Sequence, residues 1–142
     1  MPTRNELKNL AKTRLQEAKV LFDKGLYDGA YYLAGYVVEL ALKARICKIL
    51  DLVEYPQSGE ISRAFKTHRY DDLLILSGLE RKFNDATATN SSLHANWSLL
   101  RKWTEDLRYH PIGSKSKKDA EYVINALDNP KDGVFTWIKK RW

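Results

Sequence analysis

Arg108 and His110 are the two side chains of this sequence best suited to chemistry on a phosphate group. A histidine can accept or donate the proton when a ribose 2′-hydroxyl attacks a phosphodiester, and a guanidinium can stabilise the charge that develops. That chemistry is metal-independent cleavage of RNA. An arginine near the end of a helix also complements the helix dipole, so a structural role for Arg108 stays open beside the catalytic one.

Other ionisable residues lie in the apolar second segment of the chain. Glu39 and Lys43 are four residues apart, which predicts an ion pair on the polar edge of a helix. The alternative is that the two line a polar groove between helices. Cys47 has mainly apolar neighbours and is predicted to be a buried, inert thiol.

The sequence contains no common signature of a metal or cofactor site. His68, His94 and His110 are not at the i, i+4 spacing that places two ligands on one helix face. The single cysteine excludes a disulfide framework and an all-thiolate zinc site. Gly-rich phosphate loops, HExxH and GxSxG are absent as well. We therefore expect no metal and no cofactor.

The chain is mildly basic, with 24 Lys and Arg against 18 Asp and Glu and a net charge of +6. The excess is spread over both halves of the sequence. Two local clusters stand out: Lys115, Lys117 and Lys118, and Lys139, Lys140 and Arg141. Such clusters are either solvated surface or attract a polyanion. Trp142, beside the second cluster, either fills the core or forms part of a docking patch.

Length and composition indicate one globular domain over residues 1–142. The chain has 142 residues, of which 44% are hydrophobic and 30% charged. No apolar run reaches the roughly 18 residues that indicate a membrane span, and no apolar signal segment follows Met1. We expect a cytoplasmic protein with no membrane partner.

Helical periodicity is strongest in the first third of the chain. Apolar residues recur at helical spacing over 3–24, where Thr3 and Glu6 predict a capping box and Gly25 a left-handed C-terminal position. A second helix, from Leu26 or Asp28 to about Val53, is apolar on most of its circumference. Such a helix lies centrally in a bundle or packs on a partner.

Shorter helices are predicted to complete an all-α fold. A loop is predicted over 54–66, where Pro56, Gln57, Ser58 and Gly59 stop the second helix, and a polar connection over 84–92. Helices are expected over about 70–78, from a Ser91 or Ser92 cap to Tyr109, from a Ser116–Asp119 capping box to Asn129, and over 133–141. The pattern predicts an up-down bundle of four to five helices with a short extra C-terminal helix.

Several segments together resemble the HEPN domain, a helical family named for nucleotide-binding domains of higher eukaryotes and prokaryotes. They are Arg14–Ile46 (RLQEAKVLFDKGLYDGAYYLAGYVVELALKARI), Lys66–Leu79 (KTHRYDDLLILSGL), Trp103–Pro111 (WTEDLRYHP) and the helix after the Lys-rich loop. The resemblance covers residues 5–140, and the first segment carries most of it.

The resemblance implies a bundle of four or five helices that is commonly dimeric and acts near nucleotides or RNA. Many relatives are ribonucleases of toxin–antitoxin, CRISPR or phage-defence systems. Others bind nucleotides or pair with a small nucleotidyltransferase encoded alongside. For this chain it implies a homodimer, a nucleotide or RNA ligand, and possible pairing with an antitoxin-like nucleotidyltransferase.

One departure from the family pattern limits what the resemblance implies about catalysis. Ribonuclease members carry an arginine, four to six residues and then a histidine, whereas one residue separates Arg108 from His110 and Arg101 lies nine positions before it. The Arg108–Tyr109 pair matches non-catalytic relatives. The candidate ligand-binding residues are therefore Lys43, Arg101, Arg108, Tyr109, Lys115, Lys117 and Lys118, and Arg108 with His110 form the candidate catalytic pair.

Overall fold

The computed structural model describes residues 2–56 and 61–142, with the main chain only at residues 61 and 62. The described part is helical and contains no strand, and only an isolated bridge joins Thr3 to Glu54. The helices are α1 (Arg4–Asp23), α2 (Tyr27–Ile49), α3 (Tyr70–Leu76), α4 (Glu80–Thr89), α5 (Ser91–Leu100), α6 (Lys117–Asp128) and α7 (Val134–Lys139). Two 3₁₀ turns span Ile61–Phe65 and Glu105–Tyr109. The predicted all-α bundle is confirmed.

Local capping signals fix the ends of α1 and α6. The Thr3 hydroxyl accepts from the Glu6 N–H at 3.3 Å, and a Glu6 carboxylate oxygen accepts from the Thr3 N–H at 2.7 Å. Ser116 and Asp119 form the same capping box for α6. Gly25, with φ of 76°, turns the chain from α1 into α2. These predictions from sequence are confirmed.

α2 is the central helix of the bundle. It packs antiparallel to α1 and also contacts α3, α6 and α7, so almost every side of it is covered. It ends at Ile49, four residues before the predicted end, and Asp51 then adopts a left-handed φ of 51°. Gln57, Ser58 and Gly59, which are predicted to stop this helix, lie outside the described residues.

The prediction of a polar connection over 84–92 is wrong, because α4 runs from Glu80 to Thr89. This helix is polar on most of its surface, and a single aromatic ring attaches it to the core. The centre of the Phe83 ring lies 4.8 Å from the centre of the Trp97 ring and 5.0 Å from the centre of the Trp137 ring. Asn90 then caps α5, accepting from the Leu93 N–H at 3.0 Å, so the predicted serine cap is also wrong.

The predicted long helix ending at Tyr109 is interrupted after Leu100. Trp103 leaves the helix and packs flat against Gly35 of α2, where a Cβ atom would overlap the indole ring. The indole N–H donates to the Tyr32 carbonyl at 3.0 Å. The chain resumes as the 3₁₀ turn Glu105–Tyr109, so Arg108 lies on a short turn held against α2 and not on a long helix.

Candidate functional site

A cleft of about 320 Å³ opens beside the first turns of α2, and Arg108, His110 and Lys115 all line it. One wall is the start of α2, and the other is the second 3₁₀ turn with the segment that follows it. The remaining lining residues are Asp28, Gly29, Tyr31, Tyr32, Leu107, Pro111, Ile112 and Ser114. The two residues proposed for phosphate chemistry therefore lie on one wall of one cavity.

Asp28 holds the loop of this cleft against α2. Its carboxylate accepts from the Gly113 N–H at 2.6 Å and from the Lys115 N–H at 2.9 Å. These two backbone hydrogen bonds, followed by the charge of Lys115, lower the pKa of Asp28 below its ordinary 3.8. Gly113 has a φ of 83°, which a side chain would strain. The loop is thus held at Gly113, where it turns, and at Lys115, where it leads into α6.

The Arg108 guanidinium lies among phenol rings. Its carbon is 4.8 Å from the centre of the Tyr109 ring. The neighbouring oxygens of Tyr109 and Tyr32 raise the pKa of Arg108. The pKa of Tyr36 is also raised, mainly by burial and then by its hydrogen bond to Tyr32. Among the described residues no carboxylate pairs with Arg108 within 4.0 Å. Its positive charge is free to meet an anion.

The other polar groups at the cleft are exposed or lie over aromatic rings. His110 is exposed, and its ring has no hydrogen-bond partner among the residues that the structure describes. The Lys115 ammonium lies 4.3 Å from the centre of the Tyr31 ring. Ile112, which lines the cleft, is fully exposed, and Tyr109, which lies between Arg108 and His110 in the chain but does not line the cleft, is 75% exposed. Arg108 therefore lies beside an accessible aromatic ring, a combination typical of surfaces that bind nucleotides, whereas the Tyr31 ring beside Lys115 is buried.

The model of the HEPN domain family matches residues 5–129. The chain belongs to the HEPN domain family. No curated protein and no solved structure matches the chain.

Within this HEPN domain, Arg101 does not reach the cleft of His110. Its guanidinium pairs with the Asp71 carboxylate at 2.6 Å, and it lines a separate cleft with Lys102 and Trp103. It therefore cannot replace Arg108 as the arginine partner of His110. In this HEPN domain the arginine nearest to His110 in sequence is also the one that shares its cavity.

The other predicted binding residues are divided between the surface and the interior. Lys117 and Lys118 are exposed in the first turn of α6, two and three residues beyond Lys115. The Lys43 side chain is largely enclosed: its ammonium lies 2.7 Å from Glu39 Oε1 and 5.1 Å from the centre of the Tyr55 ring. Lys43 belongs to an interior ion pair, and the cleft does not include it.

A polar network that sequence reasoning missed extends from that ion pair. Glu39 is only 3% exposed, and its Oε1 also lies 2.9 Å from His68 Nδ1. His68 Nε2 lies 3.4 Å from Glu105 Oε2, at the start of the turn that carries Arg108. The sequence gives one signal of this network, a carboxylate inside an apolar helix. A buried carboxylate needs partners, but the sequence does not indicate which residues they are.

The described residues hold no group of three or more His, Cys, Asp or Glu side chains that could bind a metal ion. Burial raises the pKa of the Cys47 thiol, so this side chain is an unreactive part of the core. Among the described helices none is long and apolar enough to cross a membrane.

Proposed function

We propose that this HEPN protein binds a nucleotide or RNA in the cleft of Arg108, His110 and Lys115, as a cytoplasmic homodimer. The observation that carries the proposal is that an arginine with no carboxylate partner among the described residues, an exposed histidine and a lysine line one cavity of about 320 Å³. That volume is at the lower end of the range for small-ligand sites. Arg108 and Lys115 supply the charge for phosphate, and Tyr109 offers an exposed ring for a base.

Binding without cleavage is the favoured form of this activity. The spacing of Arg108 and His110 departs from that of the ribonuclease members of the family. Arg108 lies in the 3₁₀ turn, and His110, one residue further on, follows directly after that turn with an extended φ of −70° and ψ of 152°. Lys117 and Lys118 extend the positive surface beyond the cleft, which favours a ligand longer than one nucleotide.

A metal-independent ribonuclease is the second candidate, and the shared cleft of Arg108 and His110 is the observation that favours it. His110 would take the proton of the 2′-hydroxyl as its oxygen bonds to phosphorus. The bond to the 5′ oxygen then breaks, leaving a 2′,3′-cyclic phosphate. A second acid must protonate the departing oxygen, and His110 of a second copy is the candidate.

Assembly is the remaining part of the proposal. Ile112 lines the cleft and is fully exposed, and a second copy of the chain would cover this apolar side chain. A small nucleotidyltransferase is the proposed alternative partner, as in a toxin–antitoxin pair. Light scattering on the purified chain separates a dimer from a monomer, and co-expression with adjacent open reading frames tests the partner.

The decisive test compares Arg108→Gln with Arg81→Gln, an exposed arginine of α4 that is distant in sequence from the cleft. Binding of labelled RNA and of ATP should weaken about tenfold or more in the first variant only, since a charged hydrogen-bonding partner is lost. Equal binding by both variants contradicts the proposal. RNA cleavage that disappears in His110→Ala would instead establish the ribonuclease.

A further inference from the structure

Six basic side chains converge at the opposite end of α2, far from the cleft. They come from α1, from the last two turns of α2 and from the segment after α7. The members of this basic cluster are Arg4, Lys8, Lys12, Arg45, Lys48 and Arg141. Tyr32 at the cleft and Arg45 in the cluster are 13 residues apart on one helix, which is about 20 Å at 1.5 Å per residue.

Main-chain contacts hold the basic cluster together. Arg45 donates to the Arg141 carbonyl at 2.8 Å, and the Lys48 ammonium lies 3.4 Å from the same oxygen. Arg4 donates to the carbonyl of Trp142. Three separate parts of the chain therefore meet at the carbonyls of residues 141 and 142.

The Trp142 ring lies inside the basic cluster. The ammonium groups of Lys8 and Lys12 are 5.4 Å and 5.7 Å from its centre. The ring packs edge to face on Phe135 at 5.5 Å, and Trp142 remains partly exposed. An indole is thus held at the surface beside two lysines.

Within the described residues, the acceptors that Arg4, Arg45 and Lys48 of the basic cluster contact are main-chain oxygens and not acidic side chains. Among residues 2–56 and 61–142, no carboxylate side chain pairs with any of the six within 4.0 Å. The buried Arg4 Nε has no hydrogen-bond partner there either. Burial and then the charges of Arg4, Lys48 and Lys12 lower the pKa of Lys8. An external anion bound here would reduce the repulsion between these like charges.

We infer that the basic cluster is a second ligand site, which binds the phosphates of a single-stranded nucleic acid while Trp142 stacks on a base. Arg4, Lys8 and Lys12 follow one another at four-residue steps, about 6 Å apart along α1, which suits successive phosphates of a strand. An aromatic ring among cations favours a nucleic acid over an acidic peptide, because a base adds a stacking partner. The inference does not depend on the cleft binding anything.

The test uses fluorescence anisotropy of a labelled 20-nucleotide oligouridylate with the full chain between 50 and 200 mM NaCl. The variant K8Q/K12Q removes two charges, and K82Q/K131Q removes two exposed lysines elsewhere as a matched control. We expect K8Q/K12Q to bind about tenfold more weakly and its salt slope to fall by about 1.4, or about 0.7 per lost phosphate contact. The control should match the wild type.

A third variant, Trp142→Phe, tests stacking. It should weaken oligouridylate binding but leave the binding of inorganic tripolyphosphate unchanged. Thermal unfolding of each variant confirms that the bundle is intact. Equal losses in both double variants, no loss in K8Q/K12Q, or tighter binding of polyglutamate or of phosphatidylserine vesicles than of oligouridylate would overturn the inference.

Arg108→Gln in the same assay separates the two sites. If K8Q/K12Q weakens RNA binding and Arg108→Gln does not, the basic cluster is the RNA site and the proposal that the cleft binds RNA fails. If only Arg108→Gln weakens binding, the basic cluster is not a nucleic-acid site and the cleft stands.

Discussion

The two ends of α2 both present positive charge, but they are built in different ways. At the N-terminal end, a carboxylate of α2 holds the loop of the cleft through two backbone hydrogen bonds. The cations there, Arg108 and Lys115, lie over tyrosine rings and have room beside them. The backbone shape of this end is therefore held by Asp28, and the side-chain cations do not hold it together.

At the C-terminal end, the cations themselves make the contacts. Arg4, Arg45 and Lys48 reach the carbonyls of residues 141 and 142, with no carboxylate side chain of the described residues paired to them. The difference has a physical consequence. The structure of the cleft should depend on the ionisation of Asp28. The structure of the basic cluster should depend on the salt concentration, which screens its charges.

The middle of α2 holds a buried ion pair between Glu39 and Lys43, and breaking it should have the largest effect on stability. In Glu39→Ala, Lys43 loses its partner in a site where its side chain is only 14% exposed. We expect a loss of about 3–5 kcal/mol in the free energy of unfolding, measured by urea denaturation. The double variant E39M/K43M leaves no unpaired charge and should recover most of that loss. Equal losses in the single and double variants would contradict the ion-pair account.

The contact between Gly35 and Trp103 should affect the cleft end more than the basic cluster. A Cβ atom at position 35 would overlap the Trp103 indole, so Gly35→Ala displaces the segment that carries Arg108. Overpacking of this kind should cost about 1–3 kcal/mol. Hydrogen exchange should show increased opening over 103–110 and little change over 4–12.

Gly29→Ala is the matched control for that variant. Its Cβ would lie 3.2 Å from the end of the flexible Leu21 side chain, which is able to move. Alanine is favoured over glycine inside a helix by up to about 1 kcal/mol, so this variant should be neutral or more stable. Equal destabilisation by both substitutions would exclude the special role of Gly35.

The carboxylate at the cleft should make that end sensitive to acid. The pKa of Asp28 is lowered in the folded chain, so its contribution to stability is complete above 3.8 and is lost as the pH falls through the lower folded value. Asp28→Asn should cost about 1 kcal/mol at neutral pH, a figure reduced for the exposure of the site. The difference from wild type should disappear in acid.

Asp23→Asn serves as the control for this prediction, because Asp23 is exposed near the end of α1. Thermal unfolding between pH 7 and pH 2.5 provides the measurement. A pH profile of Asp28→Asn that runs parallel to the wild type over the whole range would contradict the assignment of Asp28 to the loop.

How far the sequence predicts this molecule depends on how local each signal is. The capping boxes at Thr3 and Ser116 and the left-handed Gly25 involve neighbours in the chain, and all three are confirmed. α4 was missed because one buried ring, Phe83, replaces the usual apolar stripe. The break after Leu100 depends on a contact with Gly35, 68 residues away from Trp103, and no local pattern records it.

The same reasoning applies to the two sites. Arg108 and His110 are neighbours in sequence, so their presence in one cleft could be anticipated, whereas the Asp28 carboxylate lies 85 residues from the Gly113 N–H that it accepts. The basic cluster forms only when α1 packs on α2 and the residues after α7 pack on both helices. From the sequence only its last part, beside Trp142, was a candidate.

Salt should reveal the smallest difference between the two ends. Arg4, Lys8 and Lys12 repel one another at four-residue spacing, which costs about 0.2–0.5 kcal/mol per pair in a helix. Raising NaCl from 50 mM to 1 M screens this repulsion. The free energy of unfolding of the wild type should therefore rise by about 0.5 kcal/mol more than that of K8Q/K12Q. The control K82Q/K131Q keeps the basic cluster and should respond to salt as the wild type does, and an identical response of all three chains would mean that the charges of the cluster are already balanced.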